Sequence, residues 1–178
     1  KFNTDGTSND IDARVKSLIQ KALSIYYLDE KKLSDLKPDV IITQTQCEVC
    51  AVSLDDVQES LTLVASISPK IISIEQNNLN DIWNSVEVIS SALGAENSGI
   101  SLVDKMKSNL IELNHKVQNF DTKSIACIEW IEPLMAAGNW VPELVEQAGG
   151  INLFGVAGKH SPWIDPKELF RLDPEIII

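Results

Sequence analysis

Two stretches, one near the start of the chain and one at its end, carry almost the same message: LDEKKLSDLKPDVII over residues 28–42 and IDPKELFRLDPEIII over residues 164–178. Aligned without gaps, they share Asp29/Asp165, Lys31/Lys167, Leu33/Leu169, Leu36/Leu172, Pro38/Pro174, Ile41/Ile177 and Ile42/Ile178. Leu28/Ile164, Asp39/Glu175 and Val40/Ile176 are conservative exchanges. Asp29 or Asp165 is placed to cap a short helix, and Pro166 falls at the first helical position, where a missing N–H does no harm. Asp165 and Glu168 have the spacing of a capping box. Leu33/Leu36 and Leu169/Leu172 lie three apart, on one helical face. A Pro then ends the helix, and a β-branched run begins a buried strand. Such helix–Pro–strand junctions are common in α/β folds, so chance similarity is the alternative. Two related α/β lobes account for more of the identities.

The pattern between the copies extends this reading. Residues 11–23 place Ile11, Val15, Leu18, Ile19 and Ala22 at helical spacing, and a short strand is expected over SIYYLD. Strand DVIIT (39–43), a helix capped by Ser53 with Leu54, Val57, Leu61 and Val64 on its stripe, and strand PKIISIE (69–75) follow. This alternation predicts a parallel sheet covered on both faces. From Asp81 the pattern turns helical for a long way. Ile82, Val86, Ile89 and Leu93 form one stripe, Gly94 to Gly99 a break, and Ile100, Val103, Met106, Leu110, Leu113 and Val117 a second. The second run, from about Ser101 to Gln118, has neither Gly nor Pro and reads as a rigid helix joining two lobes, unlike a flexible linker. Strand KSIACIEW (123–130), loop IEPLMAAGN, helix VPELVEQA closed by Gly149–Gly150 and the second repeat copy complete the chain. The expected division is 1–80 for an amino-terminal α/β lobe, 81–120 for connecting helices and 121–178 for a carboxy-terminal α/β lobe. With a polar opening, KFNTDGTSND, and an end within an apolar strand at Ile178, both lobes are expected to be incomplete.

Composition narrows the partners. Twenty-six acids against 15 bases give a net charge of −11, and no Lys/Arg cluster supplies the basic footprint that nucleic acid requires. An anionic membrane surface is an equally poor partner. No apolar run approaches the roughly 20 residues of a membrane span, and no signal segment opens the chain.

Cys47 and Cys50 (CEVC) follow a strand and precede a helix, the position of a redox dithiol, yet they lie several residues before the helix start that would lower a thiol pKa. A disulfide or buried thiols, ligand contact, and redox or metal chemistry all remain open for them. Cys127 is expected to point inward on a strand, and His115 and His160 lack metal-ligand spacing to the pair, so no metal site is assigned. Glu129 and Trp130 lie at the carboxyl end of a strand, where α/β proteins bind ligands. Trp140, beside the helix-starting Pro142, and Trp163, in GVAGKHSPW, fall on the same edge, whereas Trp83 sits on a helical stripe and reads as core. Flat aromatics facing a cleft suit a large, planar or partly apolar ligand, with lobe packing as the plain alternative. No nucleophile–base pair and no phosphate-binding Gly loop occurs, since Gly149–Gly150 follows a helix and does not open one. Nothing in the sequence asks for an enzyme or a cofactor.

TQTQCEVCAVSLDDV and EWIEPLMAAGNWVPELVEQAGG, with PDVIITQ and DPEIII, resemble the cobalamin-type branch of the substrate-binding proteins of ABC importers. The resemblance implies a class III periplasmic binding protein: two Rossmann-like α/β lobes bridged by a single long α-helix. It implies an extracytoplasmic, monomeric receptor, with or without a lipid anchor, that holds a corrinoid between its lobes and delivers it to an ABC permease. A ferric siderophore or haem is the alternative ligand. Ligand contacts are expected from Gln44, Gln46, Cys47, Glu75, Trp130, Trp140 and Trp163. The chain departs from the cobalamin pattern by carrying Gln44, Gln46 and Glu75 where aromatics often stand. The resemblance assigns permease docking to Glu146, expected to face solvent from a helix packed through Leu144, Val145 and Ala148. On the other lobe it assigns docking to Asp55 or Asp56. A redox or metal-handling enzyme built on Cys47 and Cys50, and a scaffold lobe without small-molecule affinity, are the competing readings.

Overall fold

The computed structural model describes residues 3–20, 28–45, 54–63 and 68–178, without the side chains of residues 19, 20, 55, 56 and 63. Its contacts divide the chain into two compact units: Lys1–Glu75 with Ala92–Gly94, and Gln76–Ser91 with Ala95–Ile178. Residues 24–27 of the strand expected over SIYYLD, the Ser53 cap and Gln46, Cys47 and Cys50 lie outside the described residues.

The first unit begins with α1 (Ser8–Gln20). Thr7 and Asp10 form a capping box there: the Thr7 hydroxyl accepts the Asp10 N–H and the Asp10 carboxylate accepts the Thr7 N–H. Helix α2 (Glu30–Leu36) is capped by Asp29, which accepts the Lys32 N–H. It leads into β1 (Val40–Gln44), which pairs in parallel with β2 (Lys70–Ile74), so that Val40 stands opposite Lys70 and Gln44 opposite Ile74. Helix α3 (Leu54–Leu63) joins the two strands and buries Val57.

The second unit holds α4 (Leu79–Ala92) and α5 (Glu96–Val117), then β3 (Ser124–Ala126), β4 (Ile128–Trp130), β5 (Met135–Ala136), α6 (Val141–Gln147), β6 (Ile151–Asn152), α7 (Pro166–Leu172) and β7 (Ile176–Ile177). Strands β6, β3 and β7 form a parallel sheet in that order, while β4 and β5 pair antiparallel. Ala126, Ala136 and Phe154 form its core, with Ile128, Leu153, Ile164, Leu169 and Leu172 packed against them.

The repeat is structural as well as textual. Helix α7 has the length of α2, and both end on a left-handed residue directly before proline: Lys37 at φ 46° and Asp173 at φ 44°. Each donates its N–H to a leucine carbonyl four residues back, Leu33 or Leu169. That conformation is uncommon for a residue bearing a Cβ. It appears at the same place in both copies.

Several expectations are corrected. KSIACIEW is not one strand: it breaks at Cys127, because β3 belongs to the parallel sheet and β4 to the antiparallel one. The helix expected after a break at Gly94–Gly99 begins at Glu96 and runs through Gly99, which has no room for a Cβ beside Ser90 of α4. Its covered face is Gly99, Val103, Met106, Leu110, Asn114 and Val117, spaced by three and four; Ile100 and Leu113 are exposed. Helix α4 starts at Leu79, before Asp81, because Asn78 and Asp81 cap it reciprocally, and Leu93 falls beyond its end, exposed. Asp165 caps α7 by accepting the Lys167 N–H, but Glu168 turns forward to Arg171 and does not return to the cap. Among the described residues the strand expected to be buried over PEIII has β3 as its one ladder partner, and Ile176, Ile177 and Ile178 are exposed. Leu36 is exposed too, because no described element covers that side of α2.

The start of β7 is tied to β3 by Glu175, whose carboxylate accepts from Lys123 Nζ at 2.8 Å and from the Ser124 N–H at 3.0 Å. The hydrogen bonds from Lys123 and Ser124 hold its pKa below the usual glutamate value. A depressed carboxyl pKa contributes stability above the unfolded pKa, and that contribution disappears as pH falls through the folded one. Thermal midpoints measured from neutral pH down through the carboxylate range should therefore fall less steeply for Glu175→Gln than for the parent. Parallel acid limbs would contradict this.

Candidate ligand-binding site

In the first unit, Gln44 closes β1 and Glu75 follows β2. Parallel pairing sets them at the same carboxyl edge, where the Thr45 N–H donates to Ile74 O at 3.0 Å. A shallow groove of about 290 Å³ lined by Gln58, Leu61, Ser68, Pro69 and Ile71 lies at the amino end of β2, away from that edge. Gln46, Cys47 and Cys50 are outside the described residues, and with them every alternative raised for the two cysteines. For Asp55 and Asp56 only the backbone position on α3 is defined.

The second unit builds its edge from three short segments. Ile128 stands opposite Ala136, but Trp130 stands opposite Met135, so the register shifts by one residue between them. Directly opposed residues of an antiparallel pair share a face, and neighbours along a strand alternate. Ile128 and Trp130, two apart on one strand, would ordinarily share a face. The extra residue, Glu129, breaks that parity, as a β-bulge does. Ile128 therefore stays with Ala136 on the core, while Trp130 turns to the face of Met135. Met135 also bridges to Trp163 in antiparallel sense. The Ile164 N–H donates to Leu134 O and the Ala136 N–H to Pro162 O, both at 3.0 Å. Trp130, Met135 and Trp163 thus form one row across three segments, with Ile128, Ala136 and Ile164 beneath. Trp130 Nε1 donates to Glu132 O at 2.9 Å, fixing that indole, and Trp163 is 55% exposed. The loop expected over IEPLMAAGN thus contains β5, and β5 is what brings two of the three tryptophans together.

Trp140 lies outside these three paired segments. It is half-buried at the amino end of α6, before Pro142, and no described pairing joins it to the row. Trp83 is half-buried on α4. His160 is exposed, with Nδ1 3.1 Å from Ser161 O, and His115 is exposed on α5. Cys127 lies between β3 and β4, half-buried and not within either strand; burial raises its thiol pKa. Among the described residues no group of three or more His, Cys, Asp or Glu is placed to hold a metal ion.

The row is supported by close backbone contact. Gly138 N–H donates to the buried Ser161 hydroxyl at 3.1 Å, and Asn139 N–H to Lys159 O at 2.6 Å. A Cβ on Gly138 would lie 2.6 Å from Lys159 O and 2.7 Å from Ser161 N; one on Gly155 would lie 2.3 Å from Ala137 O. The two loops have no space for side chains at these points.

Helix α6 ends in a Schellman motif: Gly149, at φ 79°, donates to Glu146 O, and Gly150 donates to Val145 O. Pro142 and Val145 are its buried residues; Leu144 and Ala148, expected to pack, are exposed. Its two acids behave differently. Glu143 accepts the Leu79 N–H at 2.8 Å and so satisfies an open donor at the start of α4. Glu146 is exposed.

The mixed α/β architecture is that of the class III binding proteins of ABC importers. The model of the family described as periplasmic binding protein matches residues 4–178, and the chain belongs to that family. Among solved structures, a possible iron-binding (periplasmic solute-binding) protein from Staphylococcus epidermidis is similar at 16% identity and a TM-score of 0.68, covering 85% of this chain and 58% of that one. A periplasmic heme-binding protein from Roseiflexus sp. RS-1 gives 16%, 0.66, 85% and 57% in the same order. The periplasmic vitamin B12 binding protein of Vibrio cholerae gives 16%, 0.61, 87% and 58%. The chain thus spans little more than half the length of these proteins. No curated protein sequence matches significantly. Among the described residues no helix is long and apolar enough to cross a membrane.

Gly138→Ala should destabilise the protein by about 1–3 kcal/mol, since its Cβ meets backbone that cannot yield cheaply. Gly158→Asn is the comparison: it has a left-handed φ of 76° but nothing within 4 Å of an added Cβ, and Asn tolerates that conformation. Urea unfolding that ranks Gly158→Asn as the more damaging would contradict the packed-loop account.

Proposed function

We propose that this protein is the extracytoplasmic receptor of an ABC importer and that it captures a metal-bearing tetrapyrrole, a corrinoid or haem. A ferric siderophore is the alternative ligand. The observation that supports the ligand class is the row on one face of the second unit that sets half-buried Trp130 and exposed Trp163 on either side of Met135. Indole faces offer large apolar area with little conformational freedom to lose, which suits a broad flat ligand. In the first unit the corresponding role falls to the Gln44 and Glu75 strand edge, and Gln46 and Cys47 are proposed as contacts on the sequence alone. Trp140, which no described strand pairing joins to the row, is proposed as a secondary ligand contact.

Permease docking falls to Glu146 on α6 and to Asp55 or Asp56 on α3. Support for Glu146 comes from the division of labour on its helix, where Glu143 is engaged with Leu79 and Glu146 is left to solvent. A net charge of −11 favours approach to a basic partner surface.

Trp130→Ala and Trp163→Ala should each weaken tetrapyrrole binding by about 2 kcal/mol, roughly thirtyfold. Trp140→Ala should lower the unfolding midpoint with a smaller change in affinity. Measuring both quantities on each variant separates the roles, and normal binding by Trp130→Ala and Trp163→Ala would remove the row from the site. Glu146→Lys should leave affinity for free ligand unchanged while abolishing permease-dependent uptake; a loss of ligand affinity would show that Glu146 belongs to the ligand site.

A further inference from the structure

The row has a member that neither indole replaces. Met135 is paired on one side with Trp130 and on the other with Trp163, so the pairing puts its side chain on the same face as, and between, those of the two tryptophans. Its strand neighbour Ala136 is fully buried in the core, which fixes the strand and leaves Met135 half-buried on the opposite face. Three features of this side chain matter together. It is unbranched, so it can lie flat between rings; it is polarizable, which favours contact with aromatic faces; and it carries no charge, so a broad apolar ligand meets no desolvation cost at the centre.

We infer that Met135 is a specificity-determining residue, whose thioether contacts the central face of a flat tetrapyrrole held against Trp130 and Trp163. The inference rests on the receptor reading above and adds the residue that selects for flatness. A compact polar iron chelate would touch one indole at a time and gain little from the middle of the row. A macrocycle covers all three positions at once.

The test is titration of the full-length protein with haemin and with cyanocobalamin in separate arms, followed by tryptophan quenching and by the absorbance of the desalted protein. The arms distinguish the two sources of a macrocycle. For whichever macrocycle binds, Met135→Leu should stay within about threefold of the parent, and Met135→Ala should lose about tenfold. Met135→Glu should lose about a hundredfold or more, since its carboxylate would be dehydrated beneath the ligand. Because Met135 is half-exposed, the melting midpoints of these variants should stay close to the parent's, which separates binding from folding. Parent-like affinity in Met135→Glu, alongside weakened binding in Trp130→Ala, would overturn the role of Met135 and leave the receptor reading standing. Binding of neither macrocycle by the parent would overturn both.

Discussion

The second unit depends on a break in strand parity. In a regular strand, residues two apart share a face, and Ile128 and Trp130 would both have been committed either to the core or to solvent. The register shift at Glu129 sends Ile128 down to Ala136 and Trp130 up to Met135. One extra residue therefore separates the surface that holds the unit together from the surface that carries Trp130 and Met135. Without it, an indole would have to fit beside Ala126, Ala136 and Phe154, a core built around two alanines.

The rest of the unit holds that separation in place. Met135–Ala136 is too short to be stable as a strand alone. It is gripped on one side by β4 and on the other by the 162–164 segment, and the two loops beyond it meet backbone to backbone at Gly138 and Gly155. Helix α6 follows at once, is closed by Gly149, and sends Glu143 back to the start of α4. Gly150 lies against Ile125 of β3, where a Cβ would stand 2.5 Å from the isoleucine Cδ1. The row and the exposed Glu146 are thus both carried on backbone fixed by close packing, which keeps ordering costs small for the binding we propose.

What was legible in the sequence follows from which signals are local. The repeat was readable because caps, proline and a β-branched run act over a few residues, and α2 and α7 match down to their left-handed ends. The long helix was readable from its stripe, although Ile100 and Leu113 belong to its outer side and Gly99 and Asn114 to its inner. Two capping boxes, Thr7/Asp10 and Asn78/Asp81, had a recognisable spacing and were missed because the apolar pattern starts later. The row could not be read. Trp130 and Trp163 were both legible as edge aromatics, but their meeting depends on a two-residue strand, which carries no periodicity, and on a bulge, which reverses the periodicity that β4 does carry. Met135 was passed over for the same reason. The long-range bond from Glu143 to Leu79 has no sequence signal at all.

The central claim is that this family member presents an aromatic and thioether face to a tetrapyrrole. The most direct measurement is a structure of the full-length protein crystallised with the tetrapyrrole that survives desalting. The account predicts a macrocycle lying flat across Trp130, Met135 and Trp163, with ring contacts near 3.5–4 Å. A ligand bound elsewhere, with that row covered by protein side chains, would contradict it.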